Sequence, residues 1–321
     1  MLKIWRRNTR AFETPPAGAQ PALPEDAIWI ELVQPTRPEE LAIERGLGLE
    51  LPTREDMAEI EASSRLYREN DATFMTAVVL CRSDAAAGTA TAAPITFVLT
   101  GERLVTIRYD EPSSFVQFAA QAGRQPALCC SGAKVFVSLV DAIVDRTADI
   151  LEQTAAEVEK TSAIIFARPR NLGFEPILAR LGQHQRLNAK AHESLVSLGR
   201  MIGFSMLAGQ VEADTELRAE LRSLQRDVQS LLEHSTYLSS NISFMLEAAL
   251  GLISVQQNEI TKIFSIAAVL FLPPTLIAGI YGMNFAVMPE LHWEYGYPFA
   301  WALIVGSVLV SILWFKRKGW L

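Results

Sequence analysis

Between two uncharged apolar runs, residues 281 to 298 read YGMNFAVMPELHWEYGYP. The stretch carries one short neutral amide, Asn284, and two carboxylates, Glu290 and Glu294, and it contains no Lys or Arg. Acids in such a loop either stand solvated or raise the local concentration of cations. A second set of residues precedes it: Asn258, Thr261, Ser265, Ala268, Leu272 and Thr275 recur at 3-4-3-4-3 spacing. That spacing puts polar or small side chains on one face of a helix. Such a stripe suits either close packing of membrane helices or the lining of an aqueous path, and spacing leaves both open. Two helices cannot enclose a path, so lining requires several copies of the chain around an axis.

Residue patterns for catalysis are missing from the sequence. His184, His192, His234 and His292 form no HExxH pattern, and no GxSxG or GxxxxGK[ST] occurs. SGAK at 131–134 lacks the spacing and the hydroxyl of a phosphate loop. We therefore expect a protein that is not an enzyme, uses no organic cofactor and does not hydrolyse ATP.

The elements that hold these residues are two apolar segments, 263–281 and 298–315, each without a charged residue. Each is close to the ~20 residues that cross a ~30 Å hydrocarbon layer. Lys262 precedes the first, and Lys316, Arg317 and Lys318 follow the second, while the loop 282–297 has Glu290 and Glu294 and no Lys or Arg. This asymmetry predicts an external loop, a basic cytosolic tail at 316–321 and both termini cytosolic. Pro273 and Pro274 fall inside the first span and free backbone carbonyls that a kinked membrane helix must satisfy otherwise.

The first 260 residues carry nearly all the charge of a 321-residue chain whose net charge is −7. That balance lacks the basic footprint of a nucleic-acid binder and favours cations as partners. Three cysteines, Cys81, Cys129 and Cys130, have no zinc or disulfide spacing and read as reduced thiols. Residues 1–26, Pro- and Ala-rich from 14 to 24, read as a flexible arm. From 27 to 133, β-type runs alternate with a helical stretch, predicting a cytosolic α/β domain, with SDAAAGTATAAP at 83–94 as a loop. Thr53 and Asp56 predict a helix cap. An antiparallel amphipathic hairpin follows over 134–208, turning at 167–171. A long stalk helix over 209–281 then runs into the first span. Its residues Leu217, Leu221, Leu224, Val228, Leu231, Ser235, Leu238, Ile242, Met245, Ala249 and Leu252 form a heptad seam that only Ser235 interrupts. The seam fits an assembled stalk or burial within one subunit.

Tyr281-Gly282-Met283-Asn284-Phe285, Met288-Pro289-Glu290-Leu291 and Tyr297-Pro298 resemble the signature of CorA-type magnesium transporters. So do NEITKIFSIAAVLFLPPTLIAGI at 258–280, FKRKGWL at 315–321, LPTREDM at 51–57, SSRLY at 63–67 and DAIVDR at 141–146. The resemblance spans nearly the whole chain after Ala27. It implies an α+β cytosolic domain on a long helical stalk with two C-terminal transmembrane helices, assembled as a funnel-shaped homopentamer in a bacterial-type inner membrane. It further implies Mg²⁺ as both transported and regulatory ion. Gly282, Met283 and Asn284 would then form the selectivity filter at the outer mouth, and Asn258, Thr261, Ala268, Leu272 and Thr275 would face the ion path. Ser265 shares its level with Phe264. A neutral amide ring suits Mg²⁺, which gives up water reluctantly, because it can hold the hydrated ion and still release it. Regulation by internal Mg²⁺ would use carboxylates of the cytosolic part, with Asp214, Glu216, Glu220 and Asp227 as candidates. A relative carrying Zn²⁺, Co²⁺ or Ni²⁺ and a membrane-anchored sensor or scaffold are the competing readings.

Overall fold

A computed structural model describes residues 1–7, 9–15, 23–59, 61–84, 89–167, 173–284 and 288–320. Most of the Pro- and Ala-rich stretch, most of the 167–171 turn, the middle of the 83–94 loop and Phe285 of the external loop lie outside the described residues. The chain divides into two units, Met1–Leu246 and Glu247–Leu321.

Six strands make the sheet of the first unit: β1 (Leu2–Arg6), β2 (Ala27–Val33), β3 (Leu66–Glu69), β4 (Ala72–Asp84), β5 (Thr89–Thr100) and β6 (Arg103–Arg108). Their spatial order is β1-β2-β6-β5-β4-β3. Only β2 and β6 run parallel; the other neighbours are antiparallel. Alternation along the strands sends side chains to opposite faces, and both faces are covered. On one, Ile30, Leu32, Val98, Val105 and Ile107 pack with Ile43 of helix α1 (Arg37–Leu47) and Met57 of α2 (Arg54–Ala58). A one-turn helix, α3 (Ala62–Arg65), leads into β3. On the other face, Trp29 and Phe97 meet Phe115 and Phe118 of α4 (Ser113–Arg124) and Phe136 of α5 (Gly132–Phe166). Each such ring contributes roughly 1.5–3 kcal/mol by leaving water. The aromatic face also holds a buried ion pair, in which Arg108 Nε donates to Glu31 Oε1 at 2.9 Å. Thr53 and Asp56 form the capping box that starts α2, with Asp56 N donating to Thr53 Oγ1 at 3.2 Å.

Three expectations need correction. The N-terminal arm is not flexible over its first residues: β1 pairs in register with β2, Leu2 opposite Leu32, and Leu2, Ile4 and Trp5 are buried. Trp5 stands 5.3 Å from Phe12 and 6.5 Å from Trp29, ring centre to ring centre, so an aromatic cluster draws the strand onto the sheet edge. The 83–94 segment is largely strand, because β4 continues to Asp84 and β5 begins at Thr89. The stalk helix begins later than residue 209: a short α7 (Gly209–Ala213) ends at Asp214, and α8 runs from Thr215 to Tyr281. Asp214 Oδ1 accepts from the backbone N–H groups of Glu216 and Leu217, so this residue caps α8.

The hairpin pairs α5 with α6 (Phe174–Ser205). The heptad seam closes within the subunit, with Leu217, Leu221, Leu224, Val228, Leu238, Ile242 and Met245 buried. Ser235 accounts for its own place in that seam. Its hydroxyl donates to Asn188 Oδ1 at 3.0 Å, and Asn188 Nδ2 donates to Ser235 O at 2.9 Å, which joins α8 to α6 through a closed polar pair. Beside it Gln185 Nε2 donates to Ser239 Oγ at 2.9 Å.

In the second unit α9 (Gly296–Arg317) follows the short turn Pro289–His292. Both α8 and α9 contain an 18-residue window long and apolar enough to cross a membrane.

Candidate functional site

The membrane segment of α8 has two unlike sides. Asn258, Thr261, Ala268, Leu272 and Thr275 are exposed, whereas Lys262, Ser265, Ile266, Leu270, Pro273, Pro274 and Ile277 are half-buried. Ser265 therefore leans to the covered side, and Phe264, 72 % exposed, takes the open position at its level. Ala268, Leu272 and Thr275 line an open groove of about 710 Å³ together with Phe264, Phe271, Gly279 and Met283. Thr261 Oγ1 donates to Gln257 O at 2.9 Å and Thr275 Oγ1 to Phe271 O at 2.7 Å. With the hydroxyl protons committed to the helix, what these residues offer outward is oxygen lone pairs. These two oxygens can accept from water without holding a cation as a carboxylate would, while Phe264, Ala268, Phe271 and Leu272 leave the groove between them apolar.

At the end of the helix Gly282 N donates to Ala278 O at 3.0 Å and Met283 N to Ile280 O at 3.2 Å. A Cβ at position 282 would stand 3.2 Å from the Ala278 carbonyl oxygen, so the tight turn favours glycine. Beyond it Asn284 is exposed. Glu294 is exposed near Trp293 and Tyr295, whose rings lie 6.1 Å apart. Glu290 sits in the Pro289–His292 turn, and its side chain lies outside the described part.

The four stalk acids separate. Asp214 is taken by its cap, and Glu216 is exposed in the first turn of α8. Glu220 and Asp227 instead line a cleft of about 360 Å³ with Asp141 and Asp145 of α5 and Lys134. Lys134 Nζ donates to Glu220 Oε1 at 2.6 Å and neutralises part of this charge. Burial first, and then Asp145, Asp227 and Glu220, push the Asp141 carboxyl above its ordinary value, against the pull of Lys134. Asp145 is raised by burial and by Asp149 and Asp227. Asp141 and Asp145 escaped the sequence reading as site residues. The available signal was their i, i+4 spacing on one side of an amphipathic helix, but their partners lie on another helix far along the chain. Among the described residues no three His, Cys, Asp or Glu side chains form a metal-holding group.

A family model described as "CorA-like Mg2+ transporter protein" matches residues 24–317. The magnesium transport protein CorA of Haemophilus influenzae (strain ATCC 51907 / DSM 11121 / KW20 / Rd) is 33 % identical over 295 residues, covering 92 % of each chain. That of Salmonella typhimurium (strain LT2) is 33 % identical over 302 residues, again covering 92 % of each. In fold, the chain is similar to the complete structure of the CorA magnesium transporter from Methanocaldococcus jannaschii, with a TM-score of 0.76 at 17 % identity, covering 100 % of this chain and 99 % of that one. The turn after the first apolar helix, the helix that leads into it and the α/β unit before it all fall within one matched span, and the chain belongs to the CorA-like Mg²⁺ transporter family.

Proposed function

We propose that the protein carries Mg²⁺ passively across a bacterial-type inner membrane, with several copies, in the simplest case five, arranged so that the exposed stripe of α8 faces a common path. The observation that supports this reading is that Asn258, Thr261, Ala268, Leu272 and Thr275, at regular spacing on α8, are all left exposed, with Phe264 between them, and that exposed Asn284 follows the last turn of the same helix. A ring of Asn284 amide oxygens receives the hydrated ion at the outer mouth, where Gly282 permits the turn, and neutral groups let it leave again. Glu290 and Glu294 raise the cation concentration outside. Inward movement of a divalent ion gains ~4.6 kcal/mol per 100 mV, from ~2.3 per elementary charge, so no chemical energy source is needed. Internal Mg²⁺ closes the path by settling, hydrated, among Asp141, Asp145, Glu220 and Asp227, whose mutual repulsion it relieves.

Substitution at Asn284 tests the filter. Asn284→Ala abolishes uptake into proteoliposomes while the oligomer and its denaturation midpoint are kept, because an exposed residue at a helix end carries little packing energy. Asn284→Asp keeps the shape and adds one charge per copy, so ions leave more slowly and uptake falls with altered selectivity. A residue that only caps a helix would give the reverse order, with Asp nearly silent. Uptake by Asn284→Asp equal to the parent's defeats the assignment.

A further inference from the structure

Helix α6 keeps a 4-3 register of enclosed positions, Ile177, Leu181, His184, Asn188, Ala191 and Leu195, in which only His184 and Asn188 are polar. Asn188 is answered by Ser235 of α8, and Gln185 gives its amide proton to Ser239 of the same helix. His184 has no such answer. Its side chain is 5 % exposed, and its Nε2 has no hydrogen-bond partner among the described residues. The Oε1 of Gln185 is buried without a partner as well. On α5 the buried hydroxyls are already engaged, Thr154 Oγ1 donating to Ile150 O at 2.7 Å and Thr161 Oγ1 to Glu157 O at 2.8 Å. An apolar side chain would fill the position of His184 at lower cost, because a buried nitrogen without a partner forfeits its bond to water.

Two charges act on the ring, and both stand at the margin of the bundle. Burial keeps His184 below its ordinary value; the Glu157 carboxylate of α5 draws it up, and the Arg180 guanidinium of α6 presses it down. Glu157 is half-buried and accepts from Lys160 Nζ at 2.6 Å, while Arg180 is exposed. From α8 the neighbouring side chains of this layer are Ser235 and Ser239, which carry no charge. The neutral ring is thus compatible with the closed packing and the imidazolium is not.

We propose that His184 is a proton-operated latch: the neutral ring lets α6 close against α5 and α8, and a proton on it loosens α6 at this level. The imidazolium brings a full charge and a second N–H into an enclosed layer, and water must enter to solvate them. Gln185 and Asn188 move with the ring, so the event on α6 reaches α8 through their bonds to Ser239 and Ser235. The open form binds this proton more tightly than the closed form. The contact is therefore unaffected well above the ordinary His value of 6.5, weakens as pH falls through it, and is weakest below the lowered value.

Hydrogen–deuterium exchange of the full chain in mild detergent, corrected for the intrinsic effect of pH on amide exchange, tests the latch. From about pH 7.5 to about pH 5.5, segments 177–191 and 231–245 are expected to exchange roughly three- to tenfold faster, since a one-unit difference in proton affinity is tenfold, while 95–108 in the sheet does not change. His184→Leu suits the apolar register and is expected to abolish the acceleration. Glu157→Gln removes the carboxylate that favours the charged ring and is expected to enlarge it, whereas Arg180→Gln is expected to reduce it. No acceleration in the parent, or the same acceleration in His184→Leu, overturns the proposal. If His184→Leu does not fold, the two marginal variants decide. A ring that serves only in packing gives both the same response to pH, and that result overturns the latch.

Discussion

Asp141 and Asp145 show how position changes what a carboxylate does. Burial and neighbouring acids raise both above the ordinary Asp value of 3.8. The folded chain therefore holds these protons more tightly than the unfolded chain does. The resulting penalty is absent well below the ordinary carboxylate range, grows as pH rises through the raised values, and is complete above them. Asp141→Asn removes its share. The expected result at pH 7 is a denaturation midpoint ~1–3 °C above the parent's, with the gap closing toward pH 3. Added Mg²⁺ should raise the parent's midpoint more than the variant's, since a cation in the cleft screens a charge the variant lacks. Equal Mg²⁺ shifts in both proteins would remove this cleft from the regulatory account. Asp214 is the contrasting case, an acid at the start of α8 whose oxygen is already engaged by two backbone N–H groups.

Among the elements, the seam of α8 illustrates both what a sequence carries and what it leaves out. The 4-3 repeat marked the buried stripe correctly, but Ser235 read only as an interruption, because its partner Asn188 belongs to a different helix. Each group in that pair is satisfied by the other, so breaking it from one side is costly. Asn188→Leu is expected to destabilise the protein by ~1–3 kcal/mol through the unpaired Ser235 groups, and the added change Ser235→Ala to recover part of that loss. A denaturation series in mild detergent checks this; additive losses would mean that the pair does not couple the two helices. β1 was illegible for a similar reason. A five-residue strand beside a Pro- and Ala-rich segment carries little local signal, and what fixes it is the contact of Trp5 with Phe12 and Trp29. Long periodic helices and the Thr53 cap need only neighbours in sequence, and those were readable.

For the whole molecule, the stripe proposed as a path was suggested by residues that lie on one helix at a regular spacing, and by a polar turn that stands out between apolar runs. The acid cleft was not legible, since it joins residues from separate parts of the chain. The chain belongs to the CorA-like Mg²⁺ transporter family, and acids gather in a cleft of the unit that carries the sheet. The most direct test of passive transport is Mg²⁺ entry into proteoliposomes of the purified protein, without nucleotide, at a series of imposed inside-negative potentials. The account predicts entry that quickens with potential and, at 100 mV, proceeds against an opposing gradient of up to ~10³-fold, the ratio equivalent to ~4.6 kcal/mol. Entry that is absent at every potential, or that appears only when a nucleotide is supplied, would contradict it.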